Sequence, residues 1–225
     1  MNEKFYKVLA RGQRSCFGGD HFWEVGKWYE VKGELIPCQN GFHLCRQKDL
    51  LKWICEEIWE AQFEGEVIDS DNKLVVRKAR ITKKCAKWNE TSARLFACDC
   101  AQDVIHLIPE PEVQRCIDVA RKYASQEVPY EELVTAQETA WEATRKAAWS
   151  DAEAAAIEVI WAIALKLAWA AAKDTAWAAA RAIAKAEAGT TVWNAARDAA
   201  WKAAREKQCK RLVNLLGVAE SEEVK

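Results

Sequence analysis

Along the first 85 or so residues, apolar and polar positions alternate in short runs; from about Thr91 onward they recur with a helical period. Phe5 to Leu9, Lys27 to Val31 and Phe42 to Cys45 read as strands. The turn signals between them are Gly18-Gly19-Asp20, Lys32-Gly33-Glu34 and Gln39-Asn40-Gly41. Gln47 to Trp59 sets Leu50, Leu51, Ile54 and Ile58 on one face and predicts a helix. Gln62 to Ile68 and Lys73 to Ile81 then alternate as a hairpin around Asp69-Ser70-Asp71-Asn72. The expectation for residues 1–88 is a small α+β module, and for the chain as a whole an α+β fold.

In the second half no strand signal survives. Ser92 caps a helix expected to run to Ile108, where Pro109 and Pro111 end it and start the next, Glu112 to Ser125. Pro129 marks a further junction. The remaining predicted helices are Tyr130 to Trp149, Asp151 to Ala188 with a kink near Lys173 to Thr175, and Val192 to Leu216, with Gly189 as the stop between the last two. This predicts an all-α bundle of about five helices over 89–217, followed by an acidic tail, 218–225.

Seven of the twelve tryptophans fall in that bundle, at positions 141, 149, 161, 169, 177, 193 and 201, every gap a multiple of four. Steps of four follow a ridge that drifts about 40° per step around a helix. Between the indoles lies alanine, the strongest helix former and the one that adds least volume. Arginine shares the ridge: Trp141, Arg145 and Trp149 form one series, Trp177 and Arg181 another, Trp193, Arg197, Trp201 and Arg205 a third. Two readings follow. Either the rings fill the hollows of facing helices as core, with guanidinium groups stacked on their edges, or some of them line a cleft that holds a flat or anionic ligand.

A formal charge of −1 supplies no bulk field toward nucleic acid or an anionic membrane, so direct DNA binding is not expected. Nine scattered cysteines form no extracellular framework and no hydrophobic signal segment follows Met1, which points to a reducing bacterial cytoplasm. Ala154 to Ala172 is the longest apolar stretch. It carries Glu158 and Lys166 and is mostly alanine, so it is not read as a membrane span.

The runs Ala93-Arg94-Leu95-Phe96-Ala97-Cys98-Asp99-Cys100-Ala101 and Cys116-Ile117-Asp118-Val119-Ala120-Arg121-Lys122-Tyr123-Ala124, followed by alanine-rich helices, resemble the alanine-rich, all-helical immunity-protein family over roughly residues 92–216, with Phe96 where that family has tryptophan. Gly26-Lys27-Trp28-Tyr29 and Cys38-Gln39-Asn40-Gly41-Phe42-His43-Leu44-Cys45 are similar to a module common in phage and prophage proteins. Together the resemblances imply a phage or mobile-element accessory protein acting in conflict between phage and host. Neither implies a reaction.

Three constellations have chemical content. Cys38, His43 and Cys45, with Cys55 beyond, are zinc-type ligands at a spacing that fits no standard knuckle; the plainer reading is buried thiols and a hydrogen-bonded imidazole. Cys98 and Cys100 point about 200° apart on a helix, so with His106 they make no nucleophile and base. Arg11-Gly12 and Gly41-Phe42-His43 echo strands of ADP-ribosyl-transferring enzymes, whose glutamate would be sought among Glu60, Glu64 and Glu66. Phosphate-loop, dinucleotide and zinc-protease motifs are absent.

The expectation is therefore a non-enzymatic binding protein that sequesters a small nucleotide signal or a host defence or toxin protein, with no cofactor and no metal. The residues expected to bind are Arg11, His43, Arg145, Trp161, Trp169, Trp177, Arg181, Trp193, Arg197 and Trp201. Two rivals are a nucleotide-modifying enzyme of the ADP-ribosyltransferase kind in the front module, and an assembly protein that oligomerises through its alanine-rich helices.

Overall fold

Alternation in the front of the chain becomes strand pairing that closes on itself. The computed structural model describes residues 3–17, 19–108, 110–145, 151–165, 167–188 and 195–217. It is an α+β protein of two compact units, one comprising Met1–Asn89 with Cys209–Lys225, the other Glu90–Gln208.

In the first unit the strands are β1 (Phe5–Ala10), β2 (Arg14–Ser15), β3 (Tyr29–Glu30), β4 (Phe42–Arg46), β5 (Glu57–Ser70) and β6 (Lys73–Lys84). The long hairpin β5–β6 pairs from Trp59↔Lys84 to Ser70↔Lys73, so Asp71-Asn72 is its two-residue turn. β1 pairs antiparallel with β5 along Phe5↔Ala61 to Leu9↔Glu57, and also with β4 through Phe5↔Arg46 and Tyr6↔Cys45. β4 in turn pairs with β6 through His43↔Val75. The pairings β1–β5–β6–β4–β1 therefore form a closed ring, which removes the sheet edges these four strands would otherwise expose.

One core cluster takes Leu9 from β1, Leu44 from β4, Trp59 and Ala61 from β5, and Leu74, Val76, Ala79 and Ile81 from β6, with Trp23 from the loop before β3. In β5 the two members are two residues apart, as period-two alternation requires, whereas along β6 the inward parity changes between Val76 and Ala79, near the register shift opposite Glu64 and Val67. The opposite faces of β1, β4, β5 and β6 are buried too, at Tyr6, Val8, Cys45, Ile58 and Val75. Leu50 and Leu51 of the short helix α1 (Leu50–Trp53), which packs near β4, are buried with them, as is Ile54. The helix expected over Gln47 to Trp59 is cut to this one turn after a 3-10 turn at Gln47–Asp49, because from Glu57 onward the backbone is claimed by the β5 ladder. Ile54 and Ile58 fit a helical face and a strand face equally well, and the pairing partners decide.

The string from Cys38 to Cys45 reads here as turn construction. Asn40 donates its side-chain amide to the carbonyls of Lys32 (2.8 Å) and Glu34 (2.7 Å), holding one turn against the next. His43 accepts the backbone N–H of Cys38 on Nε2 at 3.2 Å. Gly41 sits at φ 140°, where a Cβ would come within 2.4 Å of Val75 Cγ1.

The second unit is helical: α2 (Glu90–Gln102), α3 (Pro111–Ala124), α4 (Tyr130–Thr144), α5 (Asp151–Ile163), α6 (Ala168–Ala188) and α7 (Ala195–Leu216), whose residues from Cys209 cluster with the first unit. α6 packs on α5 and α2, and α3 on α4 and α2. The contact surface of α6 is almost entirely alanine: Ala171, Ala172, Ala176, Ala179, Ala180 and Ala182 are fully buried. Arg94, itself buried, donates to the carbonyl of Leu165 (3.0 Å), and the Tyr130 hydroxyl donates to that of Ala164 (3.3 Å). Those carbonyls lie in the break between α5 and α6. The helix expected to run from Asp151 is thus interrupted between Ile163 and Ala168 rather than near Lys173 to Thr175, where α6 runs on. Among the described residues no helix is long and apolar enough to cross a membrane.

Gly41 and Gly65 make a matched pair for testing this fold, since both have positive φ but Gly65 faces open space. Gly65→Ala should cost about 1 kcal/mol, whereas Gly41→Ala adds a clash with Val75 and should cost about 3 kcal/mol in urea unfolding. Equal costs for the two would contradict the close approach at Val75.

Candidate functional site

None of the five described tryptophans of the second unit is fully buried. Trp161 and Trp177 are 52% and 55% exposed, while Trp141, Trp169 and Trp201 are half-buried. Of the two readings, rings as core and rings lining a cleft, the first is corrected for these five. With alanine on both sides of a helix contact the axes come too close to admit an indole, and the ring is pushed to the rim.

Two of these rims are paired across helices. Trp141 of α4 meets Trp161 of α5 edge to face, with centroids 5.1 Å apart and planes at 61°. Trp177 of α6 meets Trp201 of α7 at 4.6 Å and 76°. Such pairs contribute about 0.5–1.5 kcal/mol beyond area burial. The first pair walls a groove of about 340 Å³, whose lining is completed by Thr144, Arg145, Ala154, Ile157 and Glu158. That volume lies in the range of small-molecule sites, about 300–1,000 Å³.

The groove has an apolar floor and a charged rim. Thr144 is fully buried and spends its hydroxyl on the Trp141 carbonyl (2.9 Å), so it offers the groove a methyl surface. Arg145 holds the C-cap of α4 and pairs with Glu142 one turn back at 3.2 Å. Glu158 is held by Arg181 of α6 through two bonds, 2.9 and 3.1 Å. Both ion pairs are largely exposed, hence worth about 0–1 kcal/mol each, so an arriving anion can compete for either guanidinium at small cost. Trp161 follows Glu158 by three residues and Trp177 precedes Arg181 by four in the returning helix. Both exposed indoles therefore lie on the same side of that ion pair, about one turn along it.

Of the residues expected to bind, the structure gathers Arg145 and Trp161 in the groove, with Arg181 bonded to its Glu158. Trp177 and Trp201 form the second pair, and Trp169 belongs to neither. Trp193 and the side chain of Arg197 lie outside the described residues. Trp141, Thr144, Ile157 and Glu158 were missed as site residues. Trp141 had a usable signal in its spacing of four from Arg145; Glu158 had none, because its role comes from α6.

Arg11 and His43 are in the other unit. Arg11 is exposed and tied to Glu56, whose carboxylate accepts its backbone N–H at 2.7 Å and forms an ion pair with its guanidinium at 3.6 Å. No hydrogen bond or ion pair among the described residues joins it to His43. Glu60, Glu64 and Glu66 are paired with Lys4, Lys78 and Arg77 respectively. Among the described residues no group of three or more His, Cys, Asp and Glu is arranged to hold a metal ion.

A family model described as a domain of unknown function (DUF7666) matches residues 4–94, less than half of the chain. No curated protein and no solved structure matches.

Within that stretch His43 offers a pH test. Burial, with Lys73 and Lys7 nearby, lowers its pKa from 6.5 to about 4. The folded chain thus keeps the imidazole neutral where the unfolded chain protonates it. The stability this contributes is complete above about pH 6.5 and is lost as the pH falls toward 4. His43→Gln, which retains an acceptor for Cys38, should flatten the fall in urea-unfolding stability between pH 7 and pH 5. An unchanged slope would contradict a neutral, bonded His43.

Proposed function

We propose that the chain is a non-enzymatic binding protein that sequesters a small nucleotide, held in the α4–α5 groove. The observation that carries this reading is the combination of a tryptophan pair, an apolar floor and a weakly paired arginine around one groove of ligand size. A flat base lies against Trp161 with Trp141 edge-on, and a phosphate exchanges Glu142 for itself at Arg145. Base stacking on tryptophan contributes about 1–3 kcal/mol and one charge-assisted contact about 1.5–3 kcal/mol, which together correspond to an affinity between the millimolar range and tens of micromolar.

Holding a nucleotide without changing it would serve a phage or prophage accessory protein that depletes a signal of the host's defence. Support for that setting is the resemblance of residues 92–216 to the immunity-protein family and of the Cys38–Cys45 string to phage modules. Among the described residues the groove is lined by two indoles, the Thr144 side chain, an arginine, a glutamate and aliphatic carbon, a lining suited to holding a flat anionic ligand.

The test is a panel of nucleotides screened by thermal shift, followed by denaturation and recovery of the ligand. A binder should raise Tm, since ligand stabilises the folded state by mass action, and should be returned chemically intact. Trp161→Ala should weaken binding about tenfold or more while costing the ligand-free chain only about 1 kcal/mol, the worth of its pairing with Trp141, because the ring is exposed. Recovery of a converted product would overturn sequestration. Absence of any shift across the panel would overturn a nucleotide ligand and leave a host protein as the captive.

A further inference from the structure

The turn built by the Cys38–Cys45 string makes no use of one group in it, the thiol of Cys38. Cys38 holds a left-handed backbone (φ 65°) and its N–H is bound by His43 Nε2 at 3.2 Å, so the residue is fixed where it stands. Of the nine cysteines it is the exposed one; Cys16 and Cys209 are half-buried and the other six are buried. The hydrogen bonds differ as well. Cys16 donates its thiol to the Val8 carbonyl at 3.4 Å and Cys209 to those of Gln47 and Lys48 at 3.4 and 3.2 Å, whereas the Cys38 sulfur accepts, from the Lys73 amine at 3.0 Å.

Lys73 is pinned on its own side. It opens β6 just past the Asp71-Asn72 turn, pairs across that turn with Ser70, and sets its amine 5.3 Å from the centroid of the Trp53 ring. That ring is fixed in turn, since its Nε1 donates to the Asn72 carbonyl at 2.8 Å. An exposed sulfur and an amine 35 residues apart in sequence are thus held at hydrogen-bond distance by the β5–β6 hairpin, α1 and the turn before β4.

We infer that Cys38 and Lys73 form a modification site, at which hydrogen peroxide joins the two side chains through a sulfenamide, a covalent S–N bond. The thiolate is the reacting form of a cysteine. It attacks one peroxide oxygen, the O–O bond breaks, and the leaving hydroxide takes a proton from the Lys73 ammonium. The products are Cys38 sulfenic acid, a neutral Lys73 amine and water. An ammonium suits the resting contacts, over an indole and against sulfur, and this first step discharges it. A sulfenic acid condenses with a nearby thiol or nitrogen, and the nitrogen in place is that of Lys73. Its lone pair attacks sulfur, the S–O bond breaks, and the hydroxyl leaves as water with a proton from nitrogen. Sulfur is oxidised, peroxide is reduced to water, and the chain loses two hydrogen atoms in all. The site lies in the first unit and is independent of the helical groove.

The experiment treats the intact chain, reduced and dilute, with hydrogen peroxide at pH 7 and maps its peptides by mass spectrometry over time. The expected product is a Cys38 peptide joined to the Lys73 peptide, lighter than their sum by two hydrogens, formed ahead of oxidation at Cys16 and Cys209. Dithiothreitol should release it. In Lys73→Arg the linked peptide should be absent, and dimedone, which traps sulfenic acid, should label Cys38 instead. Cys38 ending as a sulfinic acid or a disulfide in the unaltered chain, with Lys73 unmodified, would overturn the proposal. So would oxidation of Cys16 or Cys209 as fast as that of Cys38. Because the link is mapped in the unaltered chain, the test does not depend on a variant that folds.

Discussion

The volume of alanine governs the helical unit. Where α5, α6 and α2 meet, side chains such as Ala155, Ala156, Ala172, Ala179 and Ala97 leave room for little more than backbone against backbone. Close approach of this kind gains dispersion and loses none of the helix propensity that a larger apolar residue would spend. It also leaves no space for an indole. Tryptophans spaced by fours among the alanines are displaced to the rims of the helix contacts, where they meet one another in edge-to-face pairs. The groove between α4 and α5 is walled by two such rings, Trp141 and Trp161.

The other unit solves its packing in the opposite way, with large side chains inside a ring of paired strands. Trp23, Trp59 and Leu44 fill it, and the turns that close it are fixed by Asn40 and His43. A bonded, neutral His43 accounts for the Cys38–Cys45 string as architecture, since its ring nitrogen is already committed to a backbone N–H.

Much of this was legible in the chain. Alternation found β1, β4 and the β5–β6 hairpin, and prolines found the boundaries of α3 and α4. Two errors share a cause. Gln47 to Trp59 was read as helix because Leu50, Leu51, Ile54 and Ile58 suit both periods, and the strand partners that settle the matter are β1 and β6. The break between α5 and α6 has no glycine or proline to announce it. It is held by Arg94 and Tyr130, which reach the carbonyls of Leu165 and Ala164 from 71 and 34 residues away. For the groove, the residue types and the spacing of four were visible in Trp141, Arg145 and Trp161. Which rings face solvent was not, because exposure depends on how closely the alanine faces approach.

Urea unfolding of Ala179→Leu beside Trp177→Ala tests that dependence most directly. If alanine contacts hold the unit together and the indoles ride outside, enlarging the fully buried Ala179 costs about 2–3 kcal/mol, while deleting the exposed Trp177 costs about 1 kcal/mol, the worth of its pairing with Trp201. The reverse order, with Trp177→Ala the more damaging, would mean that the tryptophans are the core after all.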